Sequence, residues 1–396
     1  MLSTRAAQEC GAAGDNDAME GLALHRFLLR FALAGASVFA WLFVFHFFSL
    51  RTGSIAEGLA RTALLYMLSA TVTCLATPVA ARALRVGARR TMLFALLFAA
   101  AAFVVLGATF GGFWDSTGAA SAITVFAVLL GMYRALYWVP YAVETGVAQH
   151  RQGRWGEILI ALAPVTVGVF IATTTAAPTL LFYIAALLVI CSALPLTRIR
   201  DVQERFSWAY RQTFHELLSR EHRAYVTHGI LEGMVGAALL LFWPLAVFLL
   251  IGWSYAVLGV VLSISLLVAI FLRAPVRSLL RRAGSPPSPV LTSILALTPW
   301  LFRLSVASPL GVVLVDSYFY TTTPRRHGID PFAFEQVSDG GSLIDEYTAL
   351  KEMALCLGKM TVCALAVVCA AISVPVAFVA VFTAAALASL WLAFTR

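Results

Sequence analysis

Apolar residues in this chain gather into long runs separated by short polar stretches. The runs fall at roughly 27–50, 59–81, 91–110, 119–143, 157–177 and 179–197. After a charged stretch they resume at roughly 225–251, 254–272, 287–304, 307–323, 349–371 and 374–394. A helix needs about 20 mostly apolar residues to cross the hydrocarbon of a bilayer, so each run predicts one transmembrane helix. Pro140, Pro164, Pro244 and Pro275 lie in or beside these runs. Such prolines are tolerated where neighbouring helices and local kinks re-satisfy the freed backbone groups.

The ninth and tenth runs are short and separated only by Ser-Val-Ala-Ser-Pro, so they would also read as one broken helix. Charge decides for two. With the N-terminus inside and the chain alternating, one side receives Arg26 and Arg30, then Arg82, Arg85, Arg89 and Arg90. It also receives Arg151, Arg154, the arginines from Arg198 to Arg223 and from Arg273 to Arg282, and Arg325 and Arg326. The opposite side receives only Arg51 and Arg61. This asymmetry follows the positive-inside rule, which places both termini in the cytoplasm and requires an even number of spans.

Composition agrees. The 396 residues are 61% hydrophobic and 12% charged, about half the charged share of a soluble domain. The net charge of +8 sits in clusters between the runs, so it reports topology rather than a nucleic-acid partner. Cys10, Cys74, Cys191, Cys356, Cys363 and Cys369 show no metal-ligand or CxxC spacing. Residues 1–25 lack a basic segment leading into an apolar one, which argues against a cleaved signal peptide and predicts a loosely ordered cytosolic tail.

The most polar segment, 198–223, divides the chain into six-helix halves at 26–197 and 224–396. Within it Phe206, Tyr210, Phe214 and Leu217 recur at helical spacing, which predicts an amphipathic helix on the cytoplasmic membrane face or an ordinary connector. The halves share a weak repeat. PVAARALRVG (Pro78–Gly87) follows the second run and PVRSLLRRAG (Pro275–Gly284) follows the eighth, with Pro, Val, Arg and Gly at matching positions.

Twelve spans, a long middle loop and paired basic turns resemble the major facilitator superfamily. Arg85, Gly87, Arg89 and Arg90 match that family's signature turn, while Leu84 stands where its acidic residue would be. GMYRALYWVPYAVETG with QHRQGRWGEI, and DEYTALKEMALCLGK (Asp345–Lys359), also resemble segments of such proteins. The resemblance implies an all-α integral membrane protein of two pseudo-symmetric six-helix bundles, working as a monomer without a cofactor. It further implies secondary transport of a small solute in a bacterial inner membrane.

Ionisable groups inside the membrane are costly and mark candidate sites. Arg134 lies deep in the fourth run, with Tyr137, Trp138 and Tyr141 following on one face. It can hold a substrate carboxylate or phosphate, pair with a gating carboxylate, or sit in a static ion pair. Asp316 in the tenth run has Tyr320 one turn on. It reads as a proton carrier, or as the structural partner of Arg134 or Arg303. His228 and Glu232, with Trp243 roughly on their face, read as a coupling group or as side chains snorkelling to water. His46 among Phe43, Phe47 and Phe48 reads as interfacial. Lys351, Glu352 and Lys359 with Arg325 and Arg326 read as a gate network or, preferably, a solvated helix end.

No nucleotide-binding GxxxxGK[ST], HExxH or GxSxG is present, and His215-Glu216 has no second histidine at metalloprotease spacing. These absences argue against a membrane enzyme and against direct ATP drive. Proton-coupled export of an amphiphilic metabolite or drug is the expected activity, with a transporter-like scaffold that no longer transports as the alternative.

Overall fold

The computed structural model describes residues 2–145, 154–199, 201–203, 206–282, 289–322, 329–330, 335–336 and 344–394. Arg325, Arg326, Arg151, Gly284 and Asp345 lie outside the described residues or have undescribed side chains.

The first half comprises α1 (Leu2–Thr52), α2 (Ile55–Ala83), α3 (Ala88–Phe110), α4 (Ser116–Thr145), α5 (Arg154–Thr173) and α6 (Ala177–Leu196). A short α7 (Tyr210–Leu218) precedes the second half. There α8 (Arg223–Ala237), a π-helical turn (Ala238–Phe242) and α9 (Trp243–Leu250) form one continuous crossing. The remaining helices are α10 (Tyr255–Arg282), α11 (Pro289–Ser305), α12 (Pro309–Thr322), α13 (Ile344–Ala370) and α14 (Val374–Phe394). A two-residue ladder, β1 (Ile329–Asp330) with β2 (Glu335–Gln336), lies between α12 and α13.

Among the described residues, 10 helical segments are long and apolar enough to cross a membrane. The ninth and tenth positions are filled by the shorter α11 and α12, of 17 and 14 residues. Their separation at Val306–Ser308 supports two helices rather than one broken helix. The outward surface is apolar, with Phe94, Leu97, Leu187, Leu301, Leu314 and Trp391 exposed. Only a hydrocarbon solvent makes such a surface stable. The chain is a multi-pass membrane protein.

Two sequence expectations change. α1 begins at Leu2, so the segment read as a loose tail is helical and runs into the first span; its many alanines favour that conformation. The predicted amphipathic linker helix is only nine residues long and excludes Phe206. Its apolar side is covered by protein. Leu217 and Phe214 pack over Ala70 and Cys74 of α2 and Leu350 and Met353 of α13. Phe206 is buried among Ala81, Leu84, Val139 and Ala349. A groove between helices offers these aromatic side chains tighter packing than a bilayer surface.

Helix packing repeats between the halves. α1 meets α6 as α8 meets α14, α2 meets α4 as α10 meets α12, and α3 meets α6 as α11 meets α14. The halves join mainly along α2 with α13 and along α5 with α10. Shifting each helix by six spans turns one seam into the other, which defines a pseudo-two-fold axis. At the α5–α10 seam the backbones nearly touch. A Cβ on Gly259 would overlap the Pro164 carbonyl, and one on Gly168 would lie 2.5 Å from the Tyr255 carbonyl oxygen. Next to Pro164, Val165 N–H donates across the seam to Ser263 Oγ at 2.9 Å.

Candidate functional site

The α2–α3 turn and the C-terminal end of α14 mark one end of the bundle, the terminal face. Several polar clusters lie within the halves or join them.

On α4 the expected aromatic row makes contacts to α1 and within α4. Tyr137 is fully buried and its hydroxyl donates to His25 Nε2 at 2.8 Å. His25 Nδ1 in turn faces the Ser192 carbonyl at 2.6 Å, which assigns the proton to Nδ1. Tyr141 stacks on Tyr137, and the Arg26 guanidinium covers Tyr141 at 4.5 Å and Trp138 at 5.8 Å. This row ties α4 to α1 and α6 inside one half. Nothing in the sequence near His25 announced that bond, because its partners are remote in the chain. Arg134 stands apart. It is 9% exposed, its guanidinium lies 5.3 Å from the Tyr66 ring centroid of α2, and its Nη1 has no hydrogen-bond partner.

In the second half, Asp316 is paired with Arg303 and not with Arg134. Arg303 Nη2 donates to Asp316 Oδ1 at 2.9 Å, with both side chains fully buried. Trp243 Nε1 donates to both carboxylate oxygens, at 2.9 and 3.1 Å. The rings of Trp300, Phe319 and Trp243 surround the guanidinium at 4.5, 4.6 and 5.1 Å. Sequence order separates Trp243 from Asp316, and the π-helical turn before Pro244 rotates the indole onto the carboxylate. Tyr320 packs on Phe319 one turn away and makes no hydrogen bond to Asp316.

The expected grouping of His228, Glu232 and Trp243 therefore splits. Glu232 is 2% exposed and lies 3.4 Å from Lys351 and 3.3 Å from His228, which is partly exposed. This is a cross-helix tie between α8 and α13. The reading of Lys351, Glu352 and Lys359 as a solvated helix end is corrected. Glu352 and Lys359 are buried, at 2% and 4% exposure, because α13 passes between α2, α8 and α14.

The signature-like turn between α2 and α3 has an acidic partner that its own sequence lacks. Asp201, beyond α6, accepts from Arg89 N–H at 3.0 Å and pairs with Arg90 Nε at 3.2 Å. Arg85 donates to the Phe206 carbonyl at 3.1 Å. Gly87 adopts φ +134°, and an added Cβ would collide with the Asp201 carboxylate. A carboxylate among the arginines that follow α6 was the available signal.

Away from the terminal face, His46, expected to be interfacial, is half-buried near the end of α1. It hydrogen-bonds the Tyr255 hydroxyl at 2.8 Å, joining the halves. Phe43 stacks on Tyr255 at 4.6 Å, Phe45 stacks on Trp253 at 5.3 Å, and Phe248 completes the cluster. Nearer the terminal face, Arg273 and Glu157 approach to 3.9 Å across the α5–α10 seam.

No protein-family model and no curated protein matches the sequence. Solved structures do. A D-xylose–proton symporter superimposes with TM-score 0.64 at 14% identity, over 95% of this chain and 96% of that one. A POT family transporter in complex with 5-aminolevulinic acid gives 0.60 at 12%, over 94% of each. The nucleoside transporter NupG gives 0.57 at 15%, over 95% and 98%. The chain shares the fold of these transporters. Arg134, Lys359 and the Arg303–Asp316 pair lie on helices beside or between the two seams.

Proposed function

We propose that this chain is a secondary transporter that moves a small amphiphilic solute across the cytoplasmic membrane by alternating access. The carrying observation is the pair of symmetry-related seams, α2 with α13 and α5 with α10, along which the halves can rock about a midplane site. Aromatic side chains around Arg134, namely Tyr66 with Trp41 against it, suit an amphiphilic solute. The arginine asymmetry supports placing the terminal face in the cytoplasm.

Protons drive the cycle in this reading, with Asp316 as the carrier. Its burial in an ion pair with Arg303 supports the role, because protonation removes the charge that holds Arg303 and frees the second half to repack. Leu84 at the acidic position of the signature turn kept a non-transporting scaffold as the alternative. Asp201 supplies that carboxylate from elsewhere in the fold and weakens the alternative.

The test uses the full chain in vesicles with an imposed pH gradient and a proton-sensitive dye, against a panel of metabolites and drugs. One solute class is expected to dissipate the gradient, and Asp316→Asn is expected to abolish proton movement. Solute movement with an unchanged proton signal in Asp316→Asn would overturn the assigned carrier.

A further inference from the structure

Two buried cations, each near the middle of its helix, have no ion-pair partner among the described residues. Arg134 comes from α4 in the first half, and Lys359 comes from near the midpoint of α13 in the second. They are 9% and 4% exposed, and among the described residues neither has an ion-pair or hydrogen-bond partner. Both act electrostatically on the same buried thiol, Cys356, one turn from Lys359. Among the nearby carboxylates, Glu232 lies 3.4 Å from Lys351, and Glu352, which also acts on Cys356, is paired with neither cation.

The spare hydrogen-bonding groups near Arg134 include donors. Trp138 Nε1 is buried without a partner one turn along α4, and Ser69 Oγ is buried without one on α2, which packs against α4. Leaving a buried cation unpaired is expensive, and placing two on the contacting helices α4 and α13 adds repulsion. A chain retains that arrangement when a ligand completes it.

We propose that Arg134 and Lys359 together bind a small organic oxyanion, a carboxylate or a phosphate, at the junction of the halves. This rests on the transporter reading and names its substrate class. The Arg134 fork takes two oxygens, while Lys359 supplies a point charge from the other half. Without an anion, like charges oppose closure of the halves around the site. With one bound, the repulsion becomes attraction, so loading and closure are coupled.

The test measures melting temperature and calorimetric binding of the purified full chain in detergent. Probes are inorganic phosphate, succinate and benzoate, compared with sodium chloride at equal ionic strength and with neutral benzyl alcohol. At least one oxyanion is expected to bind saturably, the phosphate and carboxylate arms separating the two chemistries. Arg134→Gln and Lys359→Met are each expected to weaken it about tenfold or more. Both variants should melt no lower than the parent without ligand, since neither strands a partner. Three silent oxyanions, unchanged affinity in both variants, or a large loss of ligand-free stability would each overturn the proposal. Proton-coupled movement of a neutral or cationic solute without anion binding would sink this inference and leave the transporter reading. Anion binding with no solute movement in vesicles would do the reverse.

Discussion

The carboxylate of Asp201 fills the space that a side chain on Gly87 would need. Gly87 holds φ +134°, which bulkier residues rarely adopt, and its neighbours Arg89 and Arg90 both engage Asp201. A turn between α2 and α3 is thereby fixed to the segment after α6. Gly87→Ala is expected to cost about 1–3 kcal/mol through backbone strain, with the steric overlap adding to it. A lowered melting temperature in detergent checks it, and an unchanged one would mean that the turn relaxes freely.

Removing half of the Arg303–Asp316 pair should be far worse than removing both. Arg303→Met leaves a buried carboxylate held only by Trp243, and breaking such a pair costs about 3–5 kcal/mol. The double variant Arg303→Met with Asp316→Leu should recover most of that loss. Melting temperatures of the four proteins form a cycle, and additive losses would contradict the coupling.

Tyr255→Phe deletes the hydrogen bond to His46 while keeping the aromatic stack. The bond is worth about 1 kcal/mol, or roughly a fivefold change in population. Spin labels on the exposed Leu50 and Val257 should then show the wider separation of the halves about five times more often. An unchanged distance distribution would remove this bond from the closure.

Gly259→Val should separate α5 from α10, because the Pro164 carbonyl occupies the only space for a side chain there. Overpacking of this kind costs about 1–3 kcal/mol. The melting temperature should fall, and transport in vesicles should slow because the seam can no longer close.

Much of the architecture was legible in the chain itself. Run length determines whether a segment crosses a bilayer, and arginine placement determines its direction. Both are properties of one segment at a time, so α11 and α12 were recognised as separate helices despite their shortness. The weak repeat at Pro78 and Pro275 announced two related halves.

The roles of individual polar residues were not legible. Arg134 and Arg303 look alike in sequence, each a lone arginine in an apolar run, yet Arg303 is paired with Asp316 and Arg134 is not. Nothing near Tyr137 in sequence showed its hydrogen bond to His25. Lys359 looked solvated and is buried. The sequence by itself determined which segments enter the membrane, since transfer into hydrocarbon depends on local composition. Only the tertiary structure decided which charges meet, because a buried ion pair depends on a few ångströms between helices far apart in the chain.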